Sequence, residues 1–156
     1  MHQGYPHLPQ GKTPIDIGNL SMGSIKSILK NSFTIIAIIT YSIGMVGHIL
    51  VLLTGQAGSE MPNAVHWIVL LLAGYAGLGF LINFKIIPFV NLLDKMLYLL
   101  VMIHLLSSAL IHLYSILFQT NNWLKVFDYS YSYFAVVYFA LFGYYSFRLH
   151  HRLRVS

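Results

Sequence analysis

Long apolar stretches, broken by short polar segments, set the pattern of this chain from residue 33 onward. "FTIIAIITYSIGMVGHILVLLT" fills 33–54 and "AVHWIVLLLAGYAGLGFLI" fills 64–82. "LLDKMLYLLVMIHLLSSALIHLYSILF" covers 92–118, and "YSYSYFAVVYFALFGYYSF" covers 129–147. None shows the continuous polar face of a soluble amphipathic helix. At about 1.5 Å per residue, each run is long enough as a helix to cross a hydrocarbon core of about 30 Å. Backbone amides in lipid must pair within their own segment, so each run predicts an α-helix. The expected fold is all-α, an integral membrane four-helix bundle.

The intervening segments fit connections. "GQAGSEMPN" (55–63) is rich in loop residues, "KIIPFVN" (85–91) leads into the third run, and "QTNNWLK" (119–125) leaves it. Asn91, with Asp94 three residues later, has the spacing of a helix N-cap. The pattern divides the chain into a polar, basic segment (1–32), a four-helix domain (33–147) and a basic tail (148–156). The first apolar run starts late for a cleaved signal peptide, so it reads as a retained helix.

Composition strengthens the membrane reading. The chain is 57% hydrophobic and only 8% charged, with a mean hydropathy of +0.70. Soluble domains carry about 25% charged residues. There are no cysteines, which removes disulfides and thiolate sites. Lys12, Lys26, Lys30, Lys85, Lys95, Arg148, Arg152 and Arg154 would fall on one side of the membrane, and only Lys125 on the other. This bias predicts both termini on the cytoplasmic side of a bacterial inner membrane, or on the equivalent face of an organellar inner membrane. The net charge of +5 points to anionic lipid headgroups at that face. Basic residues split among short segments that flank spans argue against nucleic acid as a partner.

Histidines carry the candidate chemistry. His48 precedes the end of the first run by six residues, and His112 precedes the end of the third by six. Both therefore lie about 9 Å below the outer surface. Two neutral imidazoles at matched depth on neighbouring helices suit the two axial positions of haem b, which would make the chain an electron carrier. His104 lies deeper, about 21 Å down, and points about 80° away from His112 around the helix. It reads as a separate position, hydrogen-bonding to Ser107 or Ser108 or facing another helix. Gly44, Gly47, Ala73, Gly74, Ala76, Gly77 and Gly79 permit close helix approach, while Tyr131, Phe134, Tyr138 and Tyr145 form a stripe on the fourth run. The candidate cofactor-binding set is thus His48, His112, His104 and Tyr138.

Other readings compete with this one. Small residues and aromatic stripes are ordinary packing surface in membrane helices, and an intramembrane histidine can simply bond across helices. His66, next to Trp67, reads as an interface anchor. A non-haem metal site would use His48, His112 and His66, with Glu60 or Asp128 supplying oxygen. No nucleophile elbow, metalloprotease motif or phosphate loop is present, so no catalytic residue is assigned. "SILKNS" (27–32) and "HLLSSALIH" (104–112) are similar to short elements of succinate dehydrogenase membrane anchors. Lys30 and Asn31 stand where those anchors carry His-Arg, and no arginine precedes His112, so no family is assigned.

The leading expectation is a haem b-binding electron-transfer or membrane-anchor subunit of a respiratory-type complex. Other membrane subunits, a second copy of the chain or a quinone would be its neighbours. A cofactor-free accessory or assembly subunit is the alternative. A small transporter ranks third, because no carboxylate lies deep in any run.

Overall fold

In a computed structural model the chain forms four α-helices: α1 (Met22–Thr54), α2 (Asn63–Asn83), α3 (Leu92–Phe118) and α4 (Tyr129–Val155). Residues 22–55, 62–120 and 129–155 are described, with side chains from residue 31 onward in the first segment and from 130 in the last. Helix α3 occupies the predicted 92–118, and α2 exceeds the predicted run by one residue at each end. Two boundaries differ from expectation. Helix α1 begins at Met22 rather than Phe33, because "MGSIKSILK" contains no proline to stop it. Helix α4 runs past Phe147 to Val155, and Arg152 and Arg154 in its last turn complement the helix dipole.

Three helices, over Asn31–Thr54, Asn63–Asn83 and Leu92–Phe118, are long and apolar enough to cross a membrane by length and composition. Helix α4 is long enough, but its serines, tyrosines and basic end set it apart. Some of its polar groups turn inward, although Tyr133 and Tyr144 are exposed. Ser132 and Ser146 are buried, and Tyr145 is nearly so, whereas Phe134, Val137, Leu141 and Phe147 are exposed. The expected stripe of four aromatics is therefore split. Phe134 faces outward at 72% exposure, and Tyr131, Tyr138 and Tyr145, one every seven residues, face the bundle.

Neighbouring helices run in alternating directions. Beside the start of α1, Thr34 Oγ1 lies 2.9 Å from His150 Nδ1, and Asn31 Nδ2 donates to Leu153 O at 3.3 Å. Phe33 meets Phe80 edge-on near the end of α2, with ring centroids 4.9 Å apart. Near the start of α3, the Tyr98 hydroxyl donates to Phe80 O at 2.6 Å. The start of α1, the end of α2, the start of α3 and the end of α4 thus share one end, which carries Lys85, Lys95, Arg148, Arg152 and Arg154. Helix α1 packs along α4 and α2 along α3, whereas α3 and α4 touch far less.

The basic half of the bundle is tightly filled. On α3, Tyr98, Val101, Leu105, Ala109, His112 and Ser115 are buried at spacings of three and four residues, which puts them on one helical face. Small residues let the helices approach. A Cβ at Gly77 would lie 2.9 Å from Leu106 Cδ2 and 3.1 Å from the Leu106 backbone nitrogen, and one at Gly79 would collide with Phe33. The Asn91 side chain accepts from Asp94 N at 2.9 Å, so the predicted N-cap is formed. Asp94 also gathers Val90 N at 2.9 Å, the Tyr145 hydroxyl at 2.8 Å and Arg152 Nη1 at 2.8 Å, which fastens the start of α3 to α4.

Candidate functional site

Toward the other end the four helices separate around a cavity of about 410 Å³. Helix α1 contributes Thr40, Tyr41, Ile43, Gly44, Gly47, His48 and Val51 to its wall, and α2 contributes Val65, Ile68, Val69 and Leu72. His104, Leu105, Ser107, Ser108, Ile111 and His112 come from α3, and Tyr131, Ser132 and Phe139 from α4. The wall is mostly apolar. Its polar groups are three imidazoles and a handful of hydroxyls.

Each histidine has a different setting. His48 Nδ1 lies 3.1 Å from Ser132 Oγ, and its ring sits against Tyr131 and Phe139, with centroids 5.5 and 5.3 Å away. His112 Nδ1 lies 2.8 Å from His66 Nδ1, with both rings buried. His104 is enclosed by the rings of Tyr41, Tyr138, Phe139 and Phe142, and its buried Nδ1 has no partner among the described residues. Eight residues of separation give His104 and His112 different ring environments, yet both reach the same cavity. The deep position of His104 is not bonded through Nδ1 to Ser107 or Ser108.

In two of the three rings, Nδ1 is engaged by a neighbouring side chain, so Nε2 is the ring nitrogen outside that contact. A metal-bound histidine commonly has its other ring nitrogen held in this way, which fixes tautomer and ring orientation. No family model, curated protein or solved structure matches the chain. Any assignment of function therefore rests on the site itself.

The remaining expected residues fall as follows. Tyr138 does not line the cavity; its ring packs 5.0 Å from His104, and its hydroxyl pairs with that of Tyr131. His66 lies outside the wall, behind His112, and is almost fully buried rather than exposed at an interface. Its Nε2 has no partner among the described residues. Glu60 and Asp128 lie outside the described residues. Among the described residues, no group of three or more histidines and carboxylates comes together as a metal cluster. Ser132 and Phe139 were not singled out from the sequence. Ser132 is one of many hydroxyls in a Tyr/Ser run, and only the contact between α1 and α4 distinguishes it.

Proposed function

We propose that the chain is a multi-pass membrane protein that holds haem b in this cavity, as an electron-transfer or membrane-anchor subunit of a respiratory-type complex. The observation that carries the reading is the pair His48 and His112, which line one cavity with Nδ1 engaged by Ser132 and His66 respectively. A neutral imidazole that donates through Nδ1 keeps its lone pair on Nε2, the form that binds iron. The surrounding wall is apolar, as a haem face requires, and Ser108 offers a hydroxyl to its polar edge. Bound there, haem b would supply one-electron chemistry, with the axial histidines and the apolar wall setting its potential. His48 and His112 would hold the iron, Ser132 and His66 would orient them, and Phe139 would separate His48 from His104.

Membrane insertion of all four helices belongs to the same proposal. Outward faces carry Ile39, Leu53, Leu71, Ile82, Leu110 and Val137, each exposed and each suited to lipid. Helix α4 would enter alongside α1, because Ser132, Ser146, Tyr131 and Tyr145 find partners within the bundle. The excess of Lys and Arg at the shared end would place it on the cytoplasmic face, in contact with anionic headgroups.

The deciding experiment is an absorption spectrum of the purified, dithionite-reduced protein after expression with ample haem. A low-spin b-type spectrum is the expected result. Colourless protein, free of metal by elemental analysis, would overturn the haem reading and leave a cofactor-free accessory subunit in its place.

A further inference from the structure

Helices α1 and α2 meet at the basic end, where Phe33 packs on Phe80 and Ser32 Oγ lies 2.6 Å from the Tyr75 hydroxyl. Toward the other end both helices become walls of the cavity. Three of those wall residues also face outward. Ile43 on α1 and Ile68 on α2 are 46% and 48% exposed, and Gly47, one turn beyond Ile43 on α1, is exposed as well. A residue that faces both the cavity and the outside is part of a rim. Gly47 leaves the rim open, because no atom of the described residues lies within 4 Å of where its Cβ would be. Any side chain there would narrow the gap.

We propose that this gap is a lateral portal through which the cavity takes its ligand from the bilayer rather than from water. It rests on the cavity being a ligand site, as in the haem reading above. The rim is made of two isoleucines and a glycine, so a charged solute gains nothing by passing it. The apolar ring of a porphyrin, entering with its two carboxylates trailing toward the headgroups, passes from acyl chains to apolar wall without leaving an apolar surrounding. Past the rim, His48 and Ser108 line the same cavity. A fourth exposed wall residue, Ser107 on α3, is polar and supplies the competing route.

The absence of cysteine allows a single reporter to be placed at the threshold. Gly47→Cys, carrying a nitroxide and reconstituted into phosphatidylcholine vesicles, should collide freely with oxygen and rarely with a water-soluble nickel chelate. Accessibility to the chelate equal to that of a surface label, or shielding from both reagents, would overturn the portal. This readout needs no haem, so it stands even where the haem reading fails. With hemin-doped vesicles as donor, Gly47→Phe should slow appearance of the bound-haem band at least tenfold and leave its final position unchanged. Ser107→Phe should leave the rate within twofold of wild type. The reverse ranking would move the route to the α3 side and sink the proposal. Wild type that never acquires haem, with a lipid-facing label, would refute the ligand and leave the portal.

Discussion

His66 Nδ1 and His112 Nδ1 lie 2.8 Å apart on adjoining helices, so one imidazole must donate and the other accept. Replacing His66 with Ala leaves a buried ring nitrogen of His112 without its partner, and also removes packed volume. The unmet hydrogen bond alone costs about 1–3 kcal/mol. His66→Gln, whose amide can supply either a donor or an acceptor, should recover part of that loss. Thermal unfolding in detergent tests this. Equal destabilisation by Ala and Gln would mean that the fit of the ring, and not its hydrogen bond, matters there.

A second linkage ties α3 to the end of α4. The Asp94 side chain is 11% exposed and that of Arg152 is 30%, and they meet at 2.8 Å with Tyr145 on the other carboxylate oxygen. Asp94→Asn keeps the shape but removes the charge. Hydrogen bonds to charged groups contribute roughly 1.5–3 kcal/mol, and the exposure of Arg152 argues for the lower part of that range. Arg152→Ala and Asp94→Asn should be less than additive, since each breaks the same pair. Full additivity in a double-mutant cycle would show that the two side chains do not act together.

Local and one-dimensional features were legible in the sequence. The length of each apolar run located the helices, and the Asn91/Asp94 spacing marked the start of α3. Gly77 was readable as a close-packing position because Ala73 lies one turn before it, and it indeed faces Leu106. Features set by rotation of one helix against another were not legible. His66 looked like an interface residue beside Trp67, and only the register of α2 on α3 carries it behind His112. Asp94 and Arg152 are 58 residues apart, and nothing local to either announces the other. Phe134 appeared to share a stripe with Tyr131 and Tyr138. Its spacing of three and four residues from them puts it on the same side of the helix, but at the edge of that face, and only the rotation of α4 against its neighbours leaves it exposed.

Gly77 and Gly47 form a natural contrast. A leucine at Gly77 would press into Leu106, including its backbone nitrogen, which cannot move aside as a side-chain tip can. Overpacking of this kind costs about 1–3 kcal/mol, so Gly77→Leu should lower the melting temperature. A Cβ at Gly47 meets no atom of the described residues within 4 Å, so Gly47→Leu should leave stability unchanged or slightly raised, as expected when a helical glycine is replaced. Indistinguishable melting curves for the two variants would contradict the arrangement of α2 on α3.

The shared end of the bundle makes a prediction about sides. Tags at residue 1 and residue 156 should both report the cytoplasmic face, and a label within 55–63 the opposite one. Reaction of a C-terminal tag with a membrane-impermeant reagent in intact cells would reverse the orientation. A label at 55–63 reporting the same side as the tags would remove α1 from the membrane altogether.

Substitution of the cavity histidines separates ligation from support. If Nε2 of His48 and of His112 are the axial ligands, replacing either with Ala should abolish a low-spin b-type spectrum or convert it to high-spin. His104→Ala should leave the low-spin band in place, because His104 sits in its own cage of Tyr41, Tyr138, Phe139 and Phe142. Ser132→Ala and His66→Ala supply the finer test. Each removes an orienting partner without removing a ligand, so each should retain bound haem while weakening its affinity about 10–100-fold, the usual range for such partners. Loss of the spectrum in all five variants alike would point to collapse of the cavity rather than ligation. Loss in His104→Ala, with retention in His48→Ala, would transfer the axial role to the deeper ring and undo the pairing at matched depth.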